Sequence, residues 1–63
     1  MHARIKQYLE DHGIKQSFLQ KKLGISITSC NAMLNGKRGI SAEEYFKICD
    51  ALKVGLETFK NGE

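Results

Sequence analysis

The sequence predicts an all-α fold of short helices, and three observations carry that reading. Its 63 residues contain no proline, its six glycines punctuate the chain at intervals, and its apolar residues recur at three- and four-residue spacing. A chain of this length holds one compact unit. It buries only about 60% of the surface that its unfolded form exposes, which leaves little surplus for a deep cavity and argues against a large catalytic cleft. Hydrophobic residues at 41% and charged residues at 27% belong to a folded protein and are too apolar for a disordered tail.

Ile5, Tyr8, Leu9 and His12 repeat at helical spacing and turn one face of a first helix inward, until Gly13 ends it in a left-handed position. Phe18, Leu19 and Leu23 give a second apolar stripe, with Lys21 and Lys22 near its end, where positive charge suits the helix dipole, and Gly24 stops it. Ser26 then offers an N-cap to a third helix bearing Cys30, Met33 and Leu34, closed by Asn35-Gly36. The loop from Gly36 to Ile40 sets Lys37 and Arg38 side by side on flexible, exposed backbone.

Ser41 with Glu44 three residues on predicts a capping box, and Ile40 with Tyr45 a hydrophobic staple, which together make the strongest helix start in the chain. Tyr45, Ile48, Cys49 and Leu52 form the buried stripe of this fourth helix, with Phe46 a candidate to join it, while Glu43, Glu44, Lys47 and Asp50 face water. Gly55 is a weak cap for a last turn carrying Leu56 and Phe59, and 61–63 read as a frayed end, so one domain spans 1–60. The β-branched run from Ile25 to Thr28 is too broken by Ser26 to predict a strand.

Ten Lys and Arg against seven Asp and Glu leave a net charge of +3, which favours an anionic partner only slightly. Cys30 and Cys49 lie among apolar residues with no second pair or nearby histidine to complete a zinc set, and read as reduced core residues. His2 and His12 read as exposed imidazoles at helix ends. No metal, cofactor or small-molecule ligand is predicted. The stretch from Met1 to Leu9 has no apolar run, so neither a signal peptide nor a membrane span is expected, and a bacterial- or phage-type cytoplasm is the default location. Paired carboxylates such as Glu43-Glu44 cannot share a site, and no phosphate loop occurs, so the sequence predicts no enzyme.

Between the second and third helices, Gly24-Ile25-Ser26 places glycine first, an apolar anchor second and a cap third, the spacing of a helix-turn-helix. Together with Lys15-Gln16-Ser17-Phe18-Leu19, with Cys30, Met33 and Asn35-Gly36-Lys37, and with Ser41 through Val54, this resembles the phage-repressor and Cro-type (XRE-like) helix-turn-helix family over nearly the whole chain. The resemblance implies a five-helix, lambda-repressor-like DNA-binding domain whose second helix crosses the duplex backbone and whose third enters the major groove. It implies base contacts from Ile27, Thr28, Asn31 and Ala32 at the opening of that helix. It also implies phosphate contacts from Gln16 and Ser17 at the start of helix two, from Ser29, and from Lys37 and Arg38 in the basic loop.

Departures from the family pattern shape the expectation. Gln20 stands where the family prefers alanine at the helix crossing, which predicts a looser crossing, and Leu34 replaces an acidic residue, which predicts an altered surface. Ile27 and Ala32 fall where long hydrogen-bonding side chains are usual, so direct readout is thin. Ile27 either packs on thymine methyl groups or joins Leu34 in an apolar contact with another protein. The leading expectation is a sequence-specific regulator of double-stranded DNA, a repressor occupying its operator as a homodimer. The alternative is a protein-interaction or antirepressor-like module on the same fold. Leu56 and Phe59 either close the core or supply the dimer contact. No ligand-sensing domain is expected after the last segment.

Overall fold

The computed structural model describes residues 1–59 and contains four helices, α1 (His2–Asp11), α2 (Gln16–Leu23), α3 (Ile27–Leu34) and α4 (Ala42–Leu52). No strand occurs among these residues. α2 packs on both α3 and α4, and α1 closes against α3. The core joins Ile5 and Leu9 of α1, Leu19 and Leu23 of α2, Cys30, Met33 and Leu34 of α3, and Tyr45, Ile48, Cys49 and Leu52 of α4. These are the periodic positions of the sequence, and burying one aliphatic side chain contributes about 1.5–3 kcal/mol. Both cysteines are free and buried.

The helix ends follow from particular residues. Ser26 Oγ accepts the Ser29 N–H at 3.1 Å and caps α3. At α4 the capping box is complete: Ser41 Oγ accepts the Glu44 N–H at 3.1 Å and Glu44 Oε1 accepts the Ser41 N–H at 3.1 Å. Gly24 takes the left-handed conformation (φ 70°) that ends α2, and its N–H returns to the Gln20 and Lys21 carbonyls. α4 ends the same way at Lys53 (φ 60°), where a side chain bears the strain that glycine avoids.

Several expectations need correction. Of the five helices, four are present in the described residues. Residues 56–59 form a turn closed by the Thr58 N–H to the Gly55 carbonyl at 3.1 Å. Phe59 nonetheless closes the core, its ring edge-on to Tyr8 at 5.7 Å and Tyr45 at 6.4 Å, whereas Leu56 stays exposed. Phe18 and Phe46 are exposed, each lying one position off its helix's buried line. His12 does not face the core. It lies exposed on the Tyr8 ring, with centroids 4.0 Å apart, and its Nδ1–H donates to the Tyr8 carbonyl at 2.9 Å. The frayed end expected at 61–63 lies outside the described residues. No described helix is long and apolar enough to cross a membrane.

Candidate functional site

α3 is embedded at one end and open at the other. Leu34, at its C-terminal end, is 2% exposed, whereas Ile27, two turns earlier, is 50% exposed. The two share a helix face, but a rise of 1.5 Å per residue sets them about 10 Å apart along the axis. The first turn therefore projects beyond the core that covers the last. This corrects two expectations: Leu34 alters no surface, and it cannot join Ile27 in an exposed apolar contact.

Ile27, Thr28, Asn31 and Ala32 line one shallow depression of about 320 Å³ together with Lys37 from the following loop. The spacing i, i+1, i+4, i+5 puts these four residues on one side of α3. Ile27, Thr28 and Asn31 are exposed and Ala32 is half-buried. Asn31 Oδ1 accepts from Asn35 Nδ2, and Asn35 Oδ1 in turn accepts from Lys6 Nζ at 3.0 Å. The carboxamide of Asn31 is thereby oriented, and its NH2 has no partner among the described residues.

Ser29 and Arg38 are drawn together behind this face. Arg38 Nε donates to Ser29 Oγ at 3.0 Å, Nη1 to the Gly39 carbonyl at 2.8 Å and to Glu44 Oε1 at 3.0 Å, and Nη2 to Glu44 Oε2 at 2.8 Å. The fork thus ties the first turn of α3 to the first turn of α4, a two-point geometry that lysine cannot reproduce. The hydrogen bonds from Arg38, then the Ser41 backbone N–H, hold the Glu44 carboxyl at about 2, well below its ordinary value. The same pairing raises Arg38, and burial pushes the Cys30 thiol up against the pull of the Arg38 charge. Glu44, read from sequence as facing water, is half-buried with its carboxylate committed to this clamp, and it is the structural residue that sequence reasoning missed. Ser41 three residues before it signals the cap; nothing in the spacing signals the arginine.

The loop itself is fixed from α1. Gly36 has φ 75°, and the His2 imidazole lies 2.6 Å from where a β-carbon would stand. His2 is therefore packed against the basic loop, beyond being an exposed imidazole. Gln16 and Ser17 open α2 elsewhere on the surface. Their helix has Lys15 as N-cap with no side-chain cap, so its first N–H groups lack that partner. Gln16 is half-buried and Ser17 is exposed beside a second groove. Gln20 turns its amide into the interhelical turn, where Nε2 donates to the Ile25 carbonyl. That bond gives the glutamine a role in fixing the turn that alanine could not fill.

Four base-facing candidates and Lys37 thus share one concave face, Ser29 and Arg38 brace it, and Gln16 and Ser17 stand apart on α2. A family model described as helix-turn-helix matches residues 5–59. No curated protein and no solved structure matches the chain.

Proposed function

The chain belongs to the Cro- and XRE-type helix-turn-helix family, a family of DNA-binding regulatory domains, and on that premise we propose that it is a repressor that occupies operator DNA as a homodimer, with α3 in the major groove. The observation that carries this reading is the depression joining Ile27, Thr28, Asn31 and Ala32 to Lys37. Each of these groups has a chemical counterpart on a duplex. The Asn31 NH2 donates to a purine N7 or O6 or a thymine O4, and the Thr28 hydroxyl donates or accepts. Ile27 and Ala32 offer apolar contact to thymine methyl groups. Lys37 pairs with a phosphate beside the groove.

Arg38 and Ser29 act together. Because Ser29 Oγ accepts from Arg38, its O–H is left to donate to a phosphate, and one Nη2 hydrogen of Arg38 is left for the same purpose. Gln16, Ser17 and the uncapped N–H groups of α2 form a second phosphate contact. A module this small reads few bases, so pairing about a two-fold axis, with recognition helices about 34 Å apart, supplies the remaining specificity.

Selection of bound duplexes from a random pool tests the proposal. An enriched inverted repeat is the expected outcome; a pool that stays random overturns it. A second reading, a protein-interaction module on the same fold, is favoured by half-exposed Ile27 and by the short side chains around it. Lys37→Glu separates the two, since it spares the Arg38 clamp: it abolishes retention on duplex DNA for a regulator and changes nothing for an interaction module.

A further inference from the structure

We propose that the groove between α2 and α4 docks an acidic, amphipathic segment of a partner protein. The groove, of about 500 Å³, has a floor of Ile14, Phe18, Ala51 and Leu52 and carries Lys15, Ser17 and Lys21 on its margin. A second hollow of about 290 Å³ shares Phe18 and Ala51 with it and adds Lys22, Lys47 and Lys53. Those five lysines are half of the ten Lys and Arg in the chain, and among the described residues Asp50 is the one acid lining either hollow. All five are exposed. Lys47 makes one loose contact with Glu43 at 3.7 Å, and Lys22 lies 5.5 Å from the Phe18 ring centroid. An aromatic side chain 41% exposed on an apolar floor, ringed by cations, is complementary to a large apolar anchor flanked by carboxylates.

A phosphate backbone matches this surface less well. It would use the lysines, and Ser17 at the groove's edge already belongs to the proposed phosphate contact of α2, but it would leave the Phe18 floor unfilled; no residue of these hollows lines the depression on α3. The occupant that uses both charge and floor is a peptide helix with Leu or Phe at i and i+4 and Asp or Glu on the flanking positions.

Fluorescence anisotropy with a labelled synthetic peptide of that pattern tests the proposal on the intact chain. Saturable binding is expected, weakened about tenfold or more by Lys21→Glu with Lys47→Glu and to a similar degree by Phe18→Ala. Both variants are checked for an unchanged helical spectrum, and the double lysine variant, altered only at exposed positions, keeps the test valid if the Phe18 variant folds poorly. Duplex retention is expected to survive Phe18→Ala, whereas the lysine variant, which takes the net charge from +3 to −1, weakens it through charge alone. Equal binding of an oligoglutamate without apolar anchors, or indifference to both variants, overturns the proposal. So does a failure of the unmodified chain to bind the peptide at all. Self-association abolished by Phe18→Ala in sedimentation equilibrium overturns it as well, because a second copy would then fill the groove.

Discussion

Two residues in this fold sit under opposing demands, and both can be measured. Lys53 holds φ 60° to end α4, a conformation in which Cβ crowds the following carbonyl oxygen. Lys53→Gly removes that crowding at the cost of a looser unfolded chain. The net is a stabilisation of about 0.5–1 kcal/mol, seen as a rise of several degrees in Tm. Gly36→Ala has the opposite sign, since its φ of 75° suits glycine and the added methyl must displace the His2 ring. Glu44 introduces a pH dependence. Its folded carboxyl titrates at about 2 against an ordinary 4.5, so the stabilisation it contributes is complete above the unfolded value and is lost as pH falls through the folded one. Thermal melts of the unmodified chain therefore fall between about pH 4.5 and 2. In Glu44→Gln the starting Tm at neutral pH is lower and the part of the acid slope due to this group is gone; an identical slope in both proteins refutes the clamp.

Helix boundaries were legible in the sequence wherever a boundary has a local chemical cause. Ser26 and Ser41 cap their helices and Gly24 turns α2, because each device acts within three or four residues of itself. Ser41→Ala, which deletes the hydroxyl end of the capping box, is expected to cost about 1 kcal/mol in denaturant melts, with no change in the slope against denaturant. What could not be read was tertiary. Arg38 finding Glu44 depends on the path of the Gly36–Ile40 loop, and the inward pattern assigned to Phe18 and Phe46 depended on which neighbours would arrive to cover them. At 56–59 a turn, and no helix, brings Phe59 into the core, a placement that depends on Tyr8 and Tyr45 from other helices. At the candidate site, the grouping of Ile27, Thr28, Asn31 and Ala32 was legible because it follows from helix period. The commitment of Ser29 and Arg38 to each other was not, since they come from different elements.

Across the whole molecule, charge and shape divide the surface into two kinds of face. One is the α3 depression, with oriented polar groups and, among the described residues, Lys37 as its one cation without an ion-pair partner, because Glu44 offsets the charge of Arg38. The other is the lysine-rich groove between α2 and α4. Substitutions in the first face are expected to separate readout from attraction. Asn31→Ala leaves the electrostatic attraction intact and removes an oriented donor, so it relaxes preference at one position of the site, at a cost of about 1–3 kcal/mol for the preferred base and little for non-specific duplex. Lys37→Gln removes a phosphate partner, so it weakens preferred and random duplexes alike and lowers the slope of log affinity against log salt by about one. Filter-binding titrations from about 50 to about 200 mM salt, run on both duplexes, measure these effects together. The proposed geometry requires the two variants to differ in kind: if Lys37→Gln alters base preference, or Asn31→Ala alters the salt slope, their side chains do not occupy the positions assigned to them on the duplex.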